Sequence, residues 1–364
     1  MDILKLWFSV TELSSNIKLK LLSEFETLEN IRDYVIAHKN YISEDNKVLN
    51  RLIKSYDLPR LYDIMEKVRT ENINIVTIGE KDYPEILELM DDGPFSLFYK
   101  GDISKLSTRR NVSIVGSRRC TVYGRDITKI ITKVLLENEL NIVSGMAKGI
   151  DTVAHQTALE GWGYTVAILG SGVDVIYPKE NSKLYHQIIS SGGCVISEFP
   201  PGTQPRPMNF PVRNRIISGL SKLVIVSEAG ERSGSLITAT RALEQGKDVL
   251  VVPGSIFSEE SKGTNKLIKE GAHVLTETQD ILNLLGIVKS KGNKITSNRR
   301  SDIKSSISDE IYKVINNNPI HIDDIIRLTN IDIKRLYEVL FEMQLKDEIL
   351  CLNGNFYVRV NNTI

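Results

Sequence analysis

Short runs of β-branched and other apolar residues recur at 112–115, 141–143, 165–169, 194–196, 223–226 and 249–252, separated by longer stretches of helical spacing. Such alternation predicts strands joined by crossover helices, and hence a parallel sheet covered on both faces. The runs are almost wholly apolar rather than alternating, as strands buried on both sides should be. The fold class expected is therefore α/β, a doubly wound Rossmann-like parallel sheet. Ahead of it, Leu19, Leu22, Phe25 and Leu28 fall three and four apart in a segment with almost no glycine, so residues 1–72 are predicted as a small helical domain. A strand at 73–78 then opens the α/β domain, taken as 73–288, and should add an edge strand to its sheet. Between 289 and 304, Lys289, Lys291, Lys294, Arg299, Arg300 and Lys304 meet only Asp302 among serine, asparagine and glycine, the composition of a basic, solvated linker. The remainder, 305–364, reads as helices at 308–316, 322–328 and 332–345 followed by two strands turning at Asn353-Gly354, the order of a C-terminal winged-helix domain.

Composition narrows this further. A chain of 364 residues, 41% apolar and 25% charged, is long enough for two or three buried cores. Glycine marks the turn-rich part: 19 of the 24 fall within 109–288. Forty-six basic and 46 acidic residues balance, which excludes a histone-like polycation and directs attention to local charge. Residues 109–234 hold 15 Lys and Arg against 10 acids, whereas 305–364 hold 6 against 9. The three cysteines, Cys120, Cys194 and Cys351, form neither a CxxC pair nor an even set, so zinc and a disulfide framework are not expected and a reduced, cytoplasmic setting is. No apolar run approaches the roughly 18 residues of a membrane span and the N-terminus lacks a signal-peptide order, so neither membrane insertion nor secretion is expected.

Ligands of an open parallel sheet gather beyond the carboxyl ends of its strands. There the sequence places glycine, serine and basic residues. The first run ends Gly116-Ser117-Arg118-Arg119, and the second ends Ser144-Gly145-Met146-Ala147-Lys148-Gly149 before Asp151 and His155. The fifth leads through Glu228 and Arg232 into Ser233-Gly234-Ser235. Bare glycines admit close approach of backbone N–H groups to an anion, and helix N-termini and cations add positive charge, so each turn is a phosphate cradle or simply a tight βα turn. Three on one edge favour the cradle. Before the fifth run, Phe210, Arg213, Asn214 and Arg215 place cations beside an aromatic ring, suited to a phosphate backbone with a stacked base. The alternative is a helix start whose arginines pair with Glu198 or Glu228. No Walker motif, no HExxH or HxH and no GxSxG occurs, and Gly170-Ser171-Gly172 lacks the third glycine of a dinucleotide fingerprint. No cofactor or metal is expected, and each histidine, His155 included, reads as a packing or surface residue.

These blocks together resemble the DNA-processing protein family DprA, also called Smf. The likeness rests on Ile114-Val115-Gly116-Ser117-Arg118, on Ser144-Gly145 through Ala154-His155, on Phe210-Pro211 through Ile217, on Ser233-Gly234-Ser235 and on Val252-Pro253-Gly254. Asp82-Tyr83-Pro84 and Phe98-Tyr99-Lys100-Gly101 extend it upstream. The resemblance implies a cytoplasmic, non-enzymatic, homodimeric protein with a SAM-like helical domain at 1–72. It would bind single-stranded DNA, protect incoming strands and help load the recombinase RecA during natural transformation. By the same analogy Ser117, Arg118 and the Phe210–Arg215 block line the DNA groove, and 261–272, with Leu267 and Ile268, contributes to the dimer.

Two features depart from the family pattern. The segment Ser14-Ser15-Asn16-Ile17-Lys18 has no hairpin glycine, so a DNA contact from 1–70 is not expected. The acidic balance of 305–364, with Glu338 and Glu342 near Lys334 and Arg335, argues against a phosphate-facing reading helix and so against a duplex-DNA regulator. A second rival is a nucleoside-phosphate hydrolase of the Rossmann-like PGGxGTxxE type, which 233–238 distantly resembles. Ile237 and Thr238 stand where its catalytic glutamate belongs, and neither can act as a base.

Overall fold

The apolar runs become the middle of a nine-stranded sheet. Its strands are β1 (Asn74–Thr77), β2 (Ser96–Gly101), β3 (Asn111–Gly116), β4 (Asn141–Ser144), β5 (Thr165–Ile168), β6 (Cys194–Ser197), β7 (Leu223–Glu228), β8 (Asp248–Val251) and β9 (His273–Val274). Their order across the sheet is β1-β2-β6-β5-β4-β3-β7-β8-β9, with β1/β2 and β2/β6 antiparallel and the others parallel. The computed structural model describes residues 2–40, 46–287, 311–316, 318–345, 348–352 and 354–360. The basic linker 289–304, the beginning of the helix expected at 308 and Asn353 lie outside the described residues.

Strands β3 to β7 are buried along nearly their whole length, which is why their sequences do not alternate. Ile216, Ile217 and Leu220 from one helix and Ala239 and Ala242 from another pack on the sheet to form the main core. Strand β1 is the edge expected from 73–78, but it reaches the parallel sheet only through β2. Strand β2 has no clear signal in the sequence, because SLFYKG holds only two buried apolar side chains, Leu97 and Phe98, before its half-exposed end.

Five helices, Ile3–Val10, Ser15–Phe25, Leu28–Ala37, Lys47–Ser55 and Leu58–Thr70, precede β1. Their core, with Trp7, Phe8, Ile31 and Leu61 at its centre, continues into Phe95 and Phe98 of the β1–β2 region, so they belong to the same compact unit as the sheet. That unit comprises Met1–Thr276 and Asp280–Gly286.

The second unit, Glu277–Gln279 with Ile287–Ile364, holds helices Ile322–Thr329 and Ile333–Leu345. Its sheet is formed by β10 (Ile320–His321), β11 (Ile349–Leu352) and β12 (Phe356–Arg359), all antiparallel, in the order β10-β12-β11. Leu336, Leu340 and Met343 close its core with Ile325 and Tyr357. Both the second and third helices and the wing strands stand where the apolar spacing predicts them.

Candidate nucleic-acid interface

A cleft of about 690 Å³ opens beyond the carboxyl ends of β3, β4 and β7. Helix Val122–Glu137 follows β3, Ile150–Glu160 follows β4 and Gly234–Glu244 follows β7, so three helix N-termini converge there. Gly149 makes the convergence possible. Its φ is +77°, and a Cβ on it would run into the carbonyl of Ser117, so the first two turns cross where only glycine fits.

The three cradles are not equally open. At the first helix, the Glu228 carboxylate accepts from the Thr121 N–H at 2.8 Å and from its hydroxyl at 2.6 Å, filling the position an anion would take. At the second, Asp151 accepts from the N–H groups of Gly145 and Ala147 at 3.1 and 3.2 Å. At the third, the Ser233 side chain caps Ser235, while Gly234 has open space in front of its Cα. Two of the three turns are therefore satisfied by the protein's own carboxylates, and only the third presents an accessible helix N-terminus.

Asp151 is fully buried, and burial pushes its carboxyl up to about 6 against the opposing pull of Arg213. Arg213, equally buried, is lowered to about 10 by desolvation, with Asp151 holding it up. Its guanidinium donates to the carbonyls of Gly145 and Ile168 and, at 3.1 Å, to Asn214, so it fastens helix Asn209–Gly219 across β4 and β5. His155 lies beneath, bonded through Nδ1 to Thr165 at 2.7 Å and lowered to about 3 by burial, hence neutral.

Phe210 faces the cleft, with the guanidinium carbons of Arg118 and Arg213 each 5.8 Å from its ring centroid and the Tyr177 ring 5.6 Å away. Arg118, Arg119 and Arg232 also line the cleft and are exposed, and among the described residues none of the three has an ion pair. Of the residues singled out from sequence, Gly116, Ser117, Arg118, Phe210, Arg213, Asn214, Ser233, Gly234 and Ser235 line the same cleft. Gly145, Lys148 and Arg215 do not. Gly145 packs behind it against Arg213, Lys148 pairs with Glu180 at 2.5 Å, and Arg215 pairs with Glu198 and Asp92. For Arg215 the alternative of a pairing with Glu198 is therefore the one the structure adopts; Arg213 pairs with neither Glu198 nor Glu228. Sequence reasoning missed Tyr177 and Glu260 as cleft residues, because each reaches it from a loop outside the three glycine turns.

A model of the DNA recombination-mediator protein A family matches residues 74–286, more than half of the chain. The chain belongs to that family. A DprA winged helix domain matches 296–355. The DNA processing protein DprA of Streptococcus pneumoniae is 50% identical over 202 residues, 55% of this chain and 70% of that protein. The X-ray structure of DprA from Streptococcus pneumoniae superposes with a TM-score of 0.66 at 38% identity, covering 78% of this chain and 98% of that one. A structure of DNA processing protein A from Helicobacter pylori, described as showing its single-stranded DNA binding mode, has a TM-score of 0.53 at 33% identity and covers 58% and 95%. The family resemblance drawn from five short blocks between 112 and 272 thus holds, and the winged helix, expected from its order of elements alone, matches the winged helix of the same family. Among the described residues, no helix is long and apolar enough to cross a membrane, and no cluster of three His, Cys, Asp or Glu could hold a metal.

Proposed function

We propose that this chain is a DNA-processing protein that binds single-stranded DNA in the cleft above β3, β4 and β7 and has no catalytic role of its own. The observation that carries the reading is that Arg118, Arg119 and Arg232, exposed and without an ion pair among the described residues, share one cleft with the Phe210–Tyr177 ring pair and the open helix N-terminus at Ser233–Ser235. Cations and N–H groups hold phosphates while exposed rings stack bases, a combination that follows a strand without reading its sequence. Gly116, Gly145, Arg213 and Asn214 shape that surface from behind or beneath. The single-strand binding described for the Helicobacter pylori relative supports the same assignment. Family resemblance further supports strand protection and RecA loading during natural transformation, with RecA as partner, a cytoplasmic setting and a homodimer. Leu267 belongs to the core and Ile268 leans on it half-buried, so pairing of two copies through that segment would have to use other side chains.

Titrating the purified protein with single-stranded DNA, duplex DNA and nucleoside monophosphates at two salt concentrations tests the reading. Single strands of different sequence should bind alike and weaken as salt rises. Preference for duplex would instead make the winged helix the binding element, and tight binding of a monophosphate would return the hydrolase reading.

A further inference from the structure

One carboxylate stands in the cleft without being locked into a turn. Glu260, on the 3-10 turn Glu259–Ser261, accepts a hydrogen bond from the Ser117 hydroxyl at 2.5 Å. The same hydroxyl oxygen accepts from the Arg119 N–H at 3.1 Å, so Ser117 can offer its proton to only one acceptor, and that acceptor is now Glu260. The other carboxylate of the cleft, Asp151, is buried and accepts two backbone N–H groups on its Oδ2. Glu260 is half-buried, lines the cleft with four arginines, and among the described residues has an ion pair with none of them.

The loop leading to it is held at its base. Tyr123 donates to the Pro253 carbonyl at 2.9 Å, and Gly254 and Asn265 exchange hydrogen bonds at 3.2 and 3.0 Å. Glu260 is thus placed over Ser117 by backbone anchored on either side. A phosphate approaching Ser117 meets a negative charge already bonded to the donor it needs.

We infer that Glu260 is a specificity-determining residue of the single-strand site, an internal anion that occupies the Ser117 position and must be displaced before a phosphate binds there. This rests on the single-strand reading of the cleft. A fixed cost of displacement falls on every ligand, but a ligand that brings one phosphate is left with little affinity, whereas a strand engaging several arginines at once retains it. Glu260 would in this way set the threshold below which nucleotides do not occupy the cleft.

The test compares Glu260→Gln with Glu259→Gln. Both remove one negative charge, but Glu259 is exposed, paired with Lys262 at 2.6 Å and outside the cleft. Fluorescence anisotropy with an oligothymidylate of about twenty nucleotides at low salt should show Glu260→Gln binding about tenfold more tightly than wild type, and Glu259→Gln within about twofold. In a Ser117→Ala background the gain from Glu260→Gln should shrink to under about twofold, because the contested donor is gone. Equal effects of the two glutamine variants, weaker binding by Glu260→Gln, or a full gain without Ser117 would each overturn the inference. Glu260→Ala serves as the second variant should the glutamine fold poorly. A wild-type protein that does not bind the oligonucleotide at all would sink the single-strand reading itself, a result distinct from all of these.

Discussion

Arg118 and Arg215 look alike in the sequence, each a cation in a block shared with the family, and the structure gives them opposite work. Arg118 is exposed over the Phe210 ring without a carboxylate partner, whereas Arg215 is largely buried between Glu198 and Asp92. Arg118→Ala should therefore cost on the order of 1.5–3 kcal/mol of single-strand affinity and flatten the salt dependence, with an unchanged denaturation midpoint. Arg215→Ala should do the reverse. It leaves Glu198, a carboxyl already raised by burial, without its cation and should lower stability by about 3 kcal/mol in a denaturant titration. His155 offers a different check. Its folded pKa, lowered to about 3 from 6.5, means that the unfolded chain binds the proton first, so acidification below 6.5 draws stability away. Asp151 acts with the opposite sign: raised from 3.8 to about 6, it favours the folded chain across that window and loses the contribution as pH rises through 6. The two largely cancel. Replacing His155 by Gln removes one side of the balance, so between pH 7 and pH 5 wild type should lose about 2 kcal/mol more than the variant. Equal pH dependence in the two proteins would mean that His155 is not buried neutral.

At the scale of elements, the glycine turns separate two demands that a motif cannot distinguish. Gly149 needs its positive φ and has no room for a Cβ beside the Ser117 carbonyl, while Gly234 has neither constraint. Gly149→Ala should therefore destabilise the protein by about 2 kcal/mol and weaken DNA binding with it, since the first two turns can no longer cross. Gly234→Ala should leave stability within about 0.5 kcal/mol, yet weaken binding if phosphate approaches the bare backbone at that helix start. Thermal melts and the same anisotropy titration read both. The strands of the parallel sheet were legible because full burial leaves a continuous β-branched run, as in Leu223–Glu228, and the helix starts because serine and glycine mark them. Strand Ser96–Gly101 carried too few apolar positions, and His273–Val274 is only two residues long. Asp151 fills the second cradle from within its own turn, but no local pattern could show that Glu228 fills the first or that Glu260 bonds Ser117. Glu228 lies 107 residues from Thr121 and Glu260 lies 143 from Ser117, and only the fold makes them neighbours.

For the whole molecule, neutral net charge conceals a division of labour. The net positive segment 109–234 carries much of the cleft, while 305–364 has an acidic excess. In the second unit, helix Ile333–Leu345 turns Leu336, Leu340 and Met343 inward and leaves Ile333, Tyr337 and Phe341 exposed at successive intervals of four. A helix that reads a groove presents cations and hydrogen-bonding side chains to phosphates and bases; an apolar stripe on an acidic domain is better matched to a protein surface. Deleting 305–364 while keeping the basic segment 289–304 should accordingly leave single-strand affinity within about threefold, because a negatively charged domain contributes little counterion release. Removing Lys289 to Lys304 as well would take six cations with it and should lower affinity and salt slope together, which separates the linker's charge from the domain's. A hundredfold loss on deleting the domain alone, or a footprint of that domain on duplex DNA, would assign DNA binding to the winged helix and reverse the division drawn from charge.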